Sequence, residues 1–174
     1  MFKIINEDLN AYTKNGNILK KIKWSVVNHT IHMGILFRLS QSLSKIPFLG
    51  KIFSKILEYI IRIFYSSDIS YKATIEGGLI FSHGQDIVIG ADVKIGKNCT
   101  IFNGVTLGNK NLEFSSKGNQ PTIGNNVVIS TGAKVLGAVK IGDNVIIGAN
   151  SVVLHDIPSD SIAVGIPAKI IKNR

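Results

Sequence analysis

The chain has 174 residues, a formal net charge of +9 and a single cysteine. This length suits one domain with at most an added segment, and one cysteine excludes an internal disulfide and favours a reducing compartment. The first residues do not form a secretory signal, and the apolar stretch 46–65 carries four charged side chains. We therefore expect neither export nor a transmembrane span, and a location in the cytoplasm.

Residues 1–67 are predicted to form an N-terminal helical segment. Apolar residues at helical spacing and Asn, Gly and Pro breaks indicate a first short helix, a second over about 19–44 and a third over about 51–65. This segment holds ten Lys and Arg against three acids, a charge of +7, whereas residues 68–174 hold only +2. No nucleic-acid motif accompanies the charge, so no nucleic acid is expected. An anionic ligand or polymer, or a peripheral contact with the inner membrane face, explains it better.

Residues 68–157 show a repeat of six, which fits neither an α-helix nor an ordinary alternating strand. A parallel β-helix has this period, because each hexad is one short strand plus one turn. Gly, Asn and Asp fill the turns, and a second small residue follows the aliphatic one by four. The aliphatic positions are Ile69, Ile75, Phe81, Ile89, Ile95, Ile101, Leu107, Ile123, Ile129, Val135, Ile141, Ile147 and Val153.

Two irregularities interrupt this repeat, and irregular places on a regular scaffold commonly hold chemistry. Two extra residues separate Phe81 from Ile89, at Ser82-His-Gly-Gln-Asp. Ten extra residues separate Leu107 from Ile123, which predicts a projecting loop at about 109–120. Beyond the solenoid, residues 158–174 are expected to form an irregular C-terminal tail.

His83 is the candidate base, because an imidazole with a pKa near neutrality suits proton removal from a hydroxyl. Asp68 lies almost one coil earlier, where its carboxylate could orient the ring. The alternatives are an ordinary turn histidine and an ordinary turn aspartate. Cys99 is expected in the core, and structural or exposed positions are expected for His29, His32 and His155, so no metal site is predicted.

Several stretches resemble the hexapeptide-repeat acyltransferases, in the branch that contains serine O-acetyltransferases and bacterial surface-polysaccharide O-acetyltransferases. These stretches are Asp68-Ile-Ser, Gly78-Leu-Ile-Phe-Ser-His-Gly-Gln-Asp-Ile-Val-Ile-Gly, Asn103-Gly-Val-Thr-Leu-Gly, Pro121-Thr-Ile-Gly-Asn-Asn-Val, Ile147-Gly-Ala-Asn-Ser-Val-Val-Leu and Val164-Gly-Ile-Pro-Ala-Lys. The resemblance implies a left-handed solenoid, a homotrimer and acetyl-CoA bound in the groove between subunits, with His83 as catalytic base and Asp68 as its orienting partner. It assigns to acetyl-CoA Gly108, Asn109, Ser130, Thr131, Gly132, Gly148, Ala149, Gly165 and Lys169.

The chain departs from the serine enzymes of this family at the residues that contact the small acceptor. Ser82 stands where they carry an acid, Gln120 where they carry a second histidine, and Ser70-Tyr where they carry His-Pro. The helical segment is also shorter than theirs, and the final Ile171-Lys-Asn-Arg lacks the terminal isoleucine that many use to dock into a sulfhydrylase. With Ser82 and Gln120 as substrate-binding residues, these departures favour a sugar hydroxyl as acceptor.

The sequence therefore predicts an acetyl-CoA-dependent O-acetyltransferase acting on a sugar or polysaccharide of a capsule or O-antigen, without a metal. His83 would deprotonate the sugar hydroxyl in a ternary complex, and no acyl-enzyme would form. The alternatives are a serine O-acetyltransferase of cysteine biosynthesis, a sugar N-acetyltransferase and a silent trimeric scaffold.

Overall fold

A computed structural model describes residues 1–111, 113 and 115–173, which form a group of helices followed by a parallel β-solenoid. The helices are α1 (Phe2–Thr13), α2 (Ile18–Val27), α3 (His29–Leu43) and α4 (Leu49–Tyr65). The strands are β1 (Asp68–Ile69), β2 (Thr74–Ile75), β3 (Ile80–Ser82), β4 (Val88–Ile89), β5 (Lys94–Ile95), β6 (Thr100–Phe102), β7 (Thr106–Gly108), β8 (Thr122–Ile123), β9 (Val128–Ile129), β10 (Lys134–Leu136), β11 (Lys140–Ile141), β12 (Ile146–Ile147), β13 (Val152–Val153), β14 (Ser161–Val164) and β15 (Lys169–Asn173). The predicted fold class, a left-handed parallel β-helix of hexapeptide repeats with a short N-terminal helical segment, is confirmed.

The solenoid has three faces, each a parallel sheet of short strands. Sheet 1 contains β1, β4, β7, β10 and β13, sheet 2 contains β2, β5, β8 and β11, and sheet 3 contains β3, β6, β9, β12 and β14. The chain visits the three sheets in turn and then moves up one coil, a step of about 4.8 Å. Residues at equivalent places in successive coils therefore lie in columns.

The interior is a column of thin aliphatic side chains, as the six-residue repeat predicts. Ile69, Ile89, Leu107, Val135 and Val153 line the inside of sheet 1, and none is more than 1% exposed. Cys99 is buried among similar residues, and this burial raises the pKa of its thiol to about 11. The predicted core position of Cys99 is confirmed.

Stacked asparagines build one corner of the solenoid. Asn98, Asn126 and Asn144 all have positive φ, between 56° and 59°. The Asn98 amide donates to Asn126 Oδ1 (3.4 Å) and the Asn126 amide donates to Asn144 Oδ1 (3.1 Å). Asn tolerates this left-handed backbone and offers a donor and an acceptor, which explains its recurrence there.

The two sequence irregularities change the length of two coils. Sheet 1 register places Asp68 opposite Val88 and Val88 opposite Thr106, so the first coil has 20 residues and the second 18. Thr106 lies opposite Lys134, 28 residues later, because of the segment between β7 and β8. Leu112 and Phe114 of this predicted loop lie outside the described residues.

The helical segment differs from its prediction in one respect, because the helix expected over about 19–44 is two helices. Asn28 has an extended backbone that ends α2, and its side-chain oxygen accepts from the amides of Thr30 and Ile31. Asn28 is thus the N-cap of α3. An N-cap inside an apolar stretch is easily overlooked, because the hydrophobic pattern continues across it.

The helices cover the first coil through a buried ion pair. Arg38 of α3 is held by Asp8 of α1 at 2.9 Å, and the side chains are 3% and 14% exposed. The Arg38 guanidinium also donates to the carbonyls of Ile75 (2.6 Å) and Glu76 (2.7 Å), while Asp8 accepts from the Leu79 amide. Burial raises the pKa of the Asp8 carboxyl, against the opposing effect of Arg38. The pair closes the open end of the solenoid, whose backbone groups otherwise lack partners.

Helix α4 turns its apolar side outward. The buried residues on its contact side are Gly50, Ser54 and Ile61, so two of the three are small. The Ser54 hydroxyl donates to the Ser40 carbonyl of α3 at 2.8 Å. The exposed apolar residues are Leu49, Ile52, Phe53, Ile56, Tyr59, Ile63 and Phe64. No helix within the described residues is long and apolar enough to cross a membrane.

The segment after the solenoid is more regular than predicted. β14 continues sheet 3 beyond β12, and β15 pairs with β14 in antiparallel orientation. This hairpin closes the far end of sheet 3. The six-residue repeat does not continue into this hairpin. The repeat comes from parallel strands linked by coil turns, whereas antiparallel strands are linked by a direct reversal of the chain.

Candidate active site

His83 directly follows β3 in a left-handed backbone conformation, with φ of 58°. Its side chain is exposed, and its ring makes no hydrogen bond to another described residue. Within the described solenoid, the other non-glycine residues with positive φ are Asn or Asp: Asp86, Asn98, Asn126, Asn144, Asn150 and Asp160. A non-glycine residue in this conformation is uncommon and stores backbone strain, although histidine adopts it more often than most residue types.

Two helices support the strand end that carries His83. A Cβ at Gly84 would lie 2.8 Å from Met33 Cε of α3, so this turn packs closely against α3. The Tyr12 hydroxyl of α1 accepts from the Phe81 amide (2.7 Å) and donates to the Phe81 carbonyl (3.1 Å). Burial raises the pKa of Tyr12 to about 12. Contacts with α1 and α3 thus fix the backbone on both sides of His83.

Asp68 begins β1, beside the same corner of the solenoid. Its amide donates to the Ile87 carbonyl (2.8 Å), and the hydroxyl of the preceding Ser67 donates to the Gly84 carbonyl (3.3 Å). These bonds place the Asp68 backbone next to the turn of residues 83–87. These bonds join neighbours of His83 and not its ring, so the orienting role of Asp68 stays a prediction.

The Asp68 carboxylate is engaged by an arginine that sequence reasoning did not select. Arg62 Nη2 of α4 donates to Asp68 Oδ2 at 2.6 Å, and this contact raises the pKa of Arg62. The only sequence signal at Arg62 is a basic residue in the last turn of a helix, which the helix dipole explains equally well.

One edge of the solenoid gathers most of the predicted site residues. We call it the His83 edge: residues 82–87, 102–105, 130–133 and 148–151, which connect sheet 3 to sheet 1 in successive coils. Gly165 continues it, because its carbonyl accepts from the Val152 amide (3.0 Å). From His83 to Gly165 the edge rises four coils, about 19 Å. It brings together Ser82, His83, Ser130, Thr131, Gly132, Gly148, Ala149 and Gly165.

The glycines on this edge are required by the solenoid itself. Gly132 has φ of 72°, and a Cβ there would collide with the Asn150 side chain. A Cβ at Gly148 would lie 2.6 Å from Val164 Cγ1. In its upper coils the edge presents small side chains at Ser130, Thr131 and Ala149, whereas its first two coils also present Gln85, Asp86, Phe102 and Asn103. Such a surface suits an extended ligand lying along the coils.

A second edge holds the other predicted site residues. We call it the loop edge: residues 90–93, 108–121 and 136–139, which connect sheet 1 to sheet 2. Gly108, Asn109 and Gln120 belong to it, and sheet 1 separates them from His83. Lys169 lies on β15 and is exposed. One copy of the chain thus does not bring all predicted site residues together.

Gln120 is a buried connector within the loop edge. Its Oε1 accepts from the Asp92 amide at 2.7 Å, and a Cβ at Gly90 would collide with its amide group. Asp92 in turn accepts from the Gly118 amide at 2.6 Å. The side chain of Gln120 therefore fixes the end of the inserted segment to the coil below it.

Comparison with known protein families supports the repeat assignment. Residues 120–155 match the family model "Bacterial transferase hexapeptide (six repeats)". Residues 86–110 match the model "Hexapeptide repeat of succinyl-transferase".

Curated relatives and solved structures have one activity in common. The serine acetyltransferase of Helicobacter pylori strain J99 is 43% identical over 153 residues, which is 86% of each chain. The Neisseria gonorrhoeae serine acetyltransferase in complex with serine superposes with a TM-score of 0.85 at 28% identity, over 98% of this chain and 69% of that one. The Brucella abortus serine acetyltransferase in complex with coenzyme A superposes with a TM-score of 0.87 at 28% identity, over 99% of this chain and 68% of that one. The chain spans about two thirds of the length of these solved relatives.

These relatives show that the prediction of a sugar or polysaccharide acceptor is wrong. That prediction took the replacements at positions 82 and 120 as signs of a changed acceptor. The bond from the Asp92 amide to Gln120 shows why the inference fails, since the residue at position 120 serves the closure of the coil. A change there does not report which acceptor is bound.

The other part of the prediction, an acyltransferase on a hexapeptide-repeat solenoid, is confirmed. Because the similarity to the H. pylori enzyme spans 86% of this chain, it includes the first coil with Asp68 and His83. The chain belongs to the serine acetyltransferase family of hexapeptide-repeat transferases.

Proposed function

We propose that this enzyme transfers the acetyl group of acetyl-CoA to the hydroxyl of L-serine. The observation that carries the proposal is the 43% identity to a serine acetyltransferase over 86% of both chains. The serine and coenzyme A complexes of two structural relatives support the acceptor and the donor. A buried free cysteine as the chain's only thiol supports action in the cytoplasm.

His83 is the proposed general base. Its imidazole takes the proton from the serine hydroxyl as the oxygen attacks the thioester carbonyl carbon. The carbon–sulfur bond then breaks, coenzyme A leaves as a thiolate, and the imidazolium returns the proton to the sulfur. Asp68 holds the ring nitrogen that faces away from serine and stabilises the imidazolium. Cys99 takes no part, because burial keeps its thiol neutral and inaccessible.

Acetyl-CoA is proposed to lie along the His83 edge, with its thioester near His83 and its remainder along Ser130, Thr131, Ala149 and Gly165. Small side chains there leave room for the pantetheine arm, and backbone groups are available to bond its amides. No metal takes part in this proposal. The exposed Lys169 and the loop residues Gly108 and Asn109 are proposed to contact the nucleotide end.

A homotrimer is proposed because the His83 edge and the loop edge are separated within one chain. A neighbouring copy can place its loop edge opposite the His83 edge and so form a groove between subunits. The apolar side of α4 supports the association, since Phe53, Ile56 and Phe64 are each 47% exposed or more. Large apolar patches on a protein surface commonly mark contacts between proteins. The predicted membrane contact of the basic helical segment is the competing explanation for α4.

The direct test is release of coenzyme A thiol from acetyl-CoA with and without L-serine. We expect serine-dependent release, and His83→Ala should reduce it by roughly 10²–10⁴-fold while acetyl-CoA binding persists. His155→Ala is the matched control, because His155 is exposed outside the His83 edge and should leave the rate unchanged. Wild-type protein that binds acetyl-CoA but does not acetylate serine would overturn the proposal.

A further inference from the structure

Arg62 is placed against the proposed catalytic carboxylate by rigid elements and not by a loop. Helix α4 is docked by the buried Ile61 and by the Ser54 contact with α3. Four residues before Arg62 on the same helix, Glu58 Oε1 accepts from the Tyr71 amide at 2.6 Å. Residues four apart lie on one helix face, so Glu58 and Arg62 both contact the first coil. The arginine thus approaches Asp68 from a fixed direction.

The ion pair leaves one carboxylate oxygen available. Arg62 Nη2 binds Asp68 Oδ2 at 2.6 Å, and Oδ1 accepts no hydrogen bond from another described residue. The Asp68 backbone is fixed by the sheet 1 ladder, but its side chain is 52% exposed and can rotate among staggered conformers. Arg62 selects one conformer and one oxygen.

A purely stabilising role explains this pair poorly. The Arg62 side chain is 58% exposed, and exposed ion pairs contribute little to stability. The buried Arg38–Asp8 pair, Ser54 and Ile61 already hold the helices on the solenoid. What the exposed pair does provide is a defined orientation of the carboxylate beside the His83 turn.

We propose that Arg62 is a positioning residue, which holds Oδ2 of Asp68 so that Oδ1 meets the His83 ring. The inference rests on the proposed role of His83 and Asp68 in acetyl transfer. Arg62 itself touches neither substrate. Its effect passes through Asp68, and orientation of a catalytic group by its neighbours has a large influence on rate.

The test compares kcat and KM for three variants of α4. Arg62→Gln should lower kcat about tenfold, as expected for a misplaced catalytic group, with unchanged KM for acetyl-CoA and an unchanged melting temperature. Arg62→Lys, which keeps a donor and the charge, should recover a large part of kcat. Lys55→Gln is the matched control, because Lys55 is exposed on the same helix face and forms no ion pair in the described structure.

A double-mutant cycle shows whether the effect passes through Asp68. In an Asp68→Asn background, Arg62→Gln should cause no further loss, because the group that it positions is already altered. An equal loss in both backgrounds, or wild-type kcat in Arg62→Gln, overturns the inference. A higher kcat in Arg62→Gln also overturns it, since Arg62 would then weaken the carboxylate. His83→Ala distinguishes failure of the proposed function from failure of this inference. If His83→Ala is inactive and Arg62→Gln has wild-type kcat, the general base is supported and only the role of Arg62 is overturned.

Discussion

At the scale of single residues, the backbone of His83 conflicts with its side chain. At its other non-glycine left-handed turn positions the solenoid places Asn or Asp, and Asn98, Asn126 and Asn144 relieve the strain with side-chain hydrogen bonds to the next coil. Histidine at φ of 58° forgoes that relief and leaves its ring exposed. Strained residues that the fold does not require are concentrated at functional sites. The proposed role of His83 as general base accounts for strain at this position, whereas Asn98 and Asn126 one corner away serve the fold.

This conflict predicts opposite effects of His83→Asn on stability and on activity. Asparagine accepts the left-handed backbone, so the free energy of unfolding should be unchanged or higher by up to about 1 kcal/mol. Serine-dependent thiol release should fall by roughly 10²–10⁴-fold, because the base is lost. Urea denaturation and the thiol assay measure the two effects on one preparation. A variant that loses both stability and activity would indicate a structural histidine.

At the scale of elements, the helices and the solenoid are joined at the open ends of sheets 2 and 3. Tyr12 of α1 bonds both backbone groups of Phe81, and Arg38 of α3 bonds the carbonyls of Ile75 and Glu76. These groups belong to the first coil, which has no coil below it. The helices therefore satisfy the hydrogen bonds that a further coil would have made. Since Phe81 is two residues from His83, the same contacts order the proposed active site.

Tyr12→Phe tests this junction through its dependence on pH. The folded-state pKa of Tyr12 is about 12, above the value near 10 expected in the unfolded chain. The folded chain therefore holds the Tyr12 proton more tightly than the unfolded chain does. The contribution of Tyr12 to the free energy of unfolding is complete below pH 10 and is lost as the pH rises towards 12. Between pH 9 and 12 the wild type should lose about 2 kcal/mol more unfolding free energy than Tyr12→Phe.

The measurement is urea denaturation at each pH, with Tyr71→Phe as the control. Tyr71 is half-buried and its hydroxyl makes no hydrogen bond within the described structure, so its variant should follow the wild type. At pH 7 Tyr12→Phe should lose about 1–3 kcal/mol, since two backbone groups of Phe81 lose their partner. Parallel curves for wild type and Tyr12→Phe would mean that folding does not raise the pKa of Tyr12, which contradicts the prediction.

The sequence predicts the elements of the solenoid well because its repeat is local. A buried apolar residue every six positions, with Asn, Asp or Gly in the turns, specifies strand and corner without reference to distant residues. The candidate base His83 is predicted in the same way, as a polar residue at a fault in the repeat. The ion pairs of Arg38 and Arg62 were not found, because each depends on how a helix docks. The acceptor was predicted wrongly from Gln120 for the same reason, since its buried bond to Asp92 is a tertiary contact.

At the scale of the whole molecule, a single copy of the chain leaves two features without a partner. Its predicted site residues are divided between the His83 edge and the loop edge. Its helix α4 exposes phenylalanines and isoleucines that a soluble monomer normally buries. Association of copies, as proposed, would bring the two edges together in a groove between subunits and would remove the apolar area of α4 from water. The proposed homotrimer therefore links activity to the apolar side of α4.

The variant Phe53→Ser/Ile56→Ser tests this link. Both side chains are exposed in the monomer, so their loss should leave the fold intact while removing apolar contact area between copies. Sedimentation equilibrium should give three times the 18.9 kDa chain mass for the wild type and a smaller mass for the variant. Serine-dependent activity should fall with the loss of trimer and recover at high protein concentration, because the groove requires a neighbour.

Phe2→Ser, which removes an exposed aromatic from α1, should change neither mass nor activity. A wild-type monomer that floats with phosphatidylglycerol vesicles, but not with phosphatidylcholine vesicles, would instead assign the α4 side to the membrane surface.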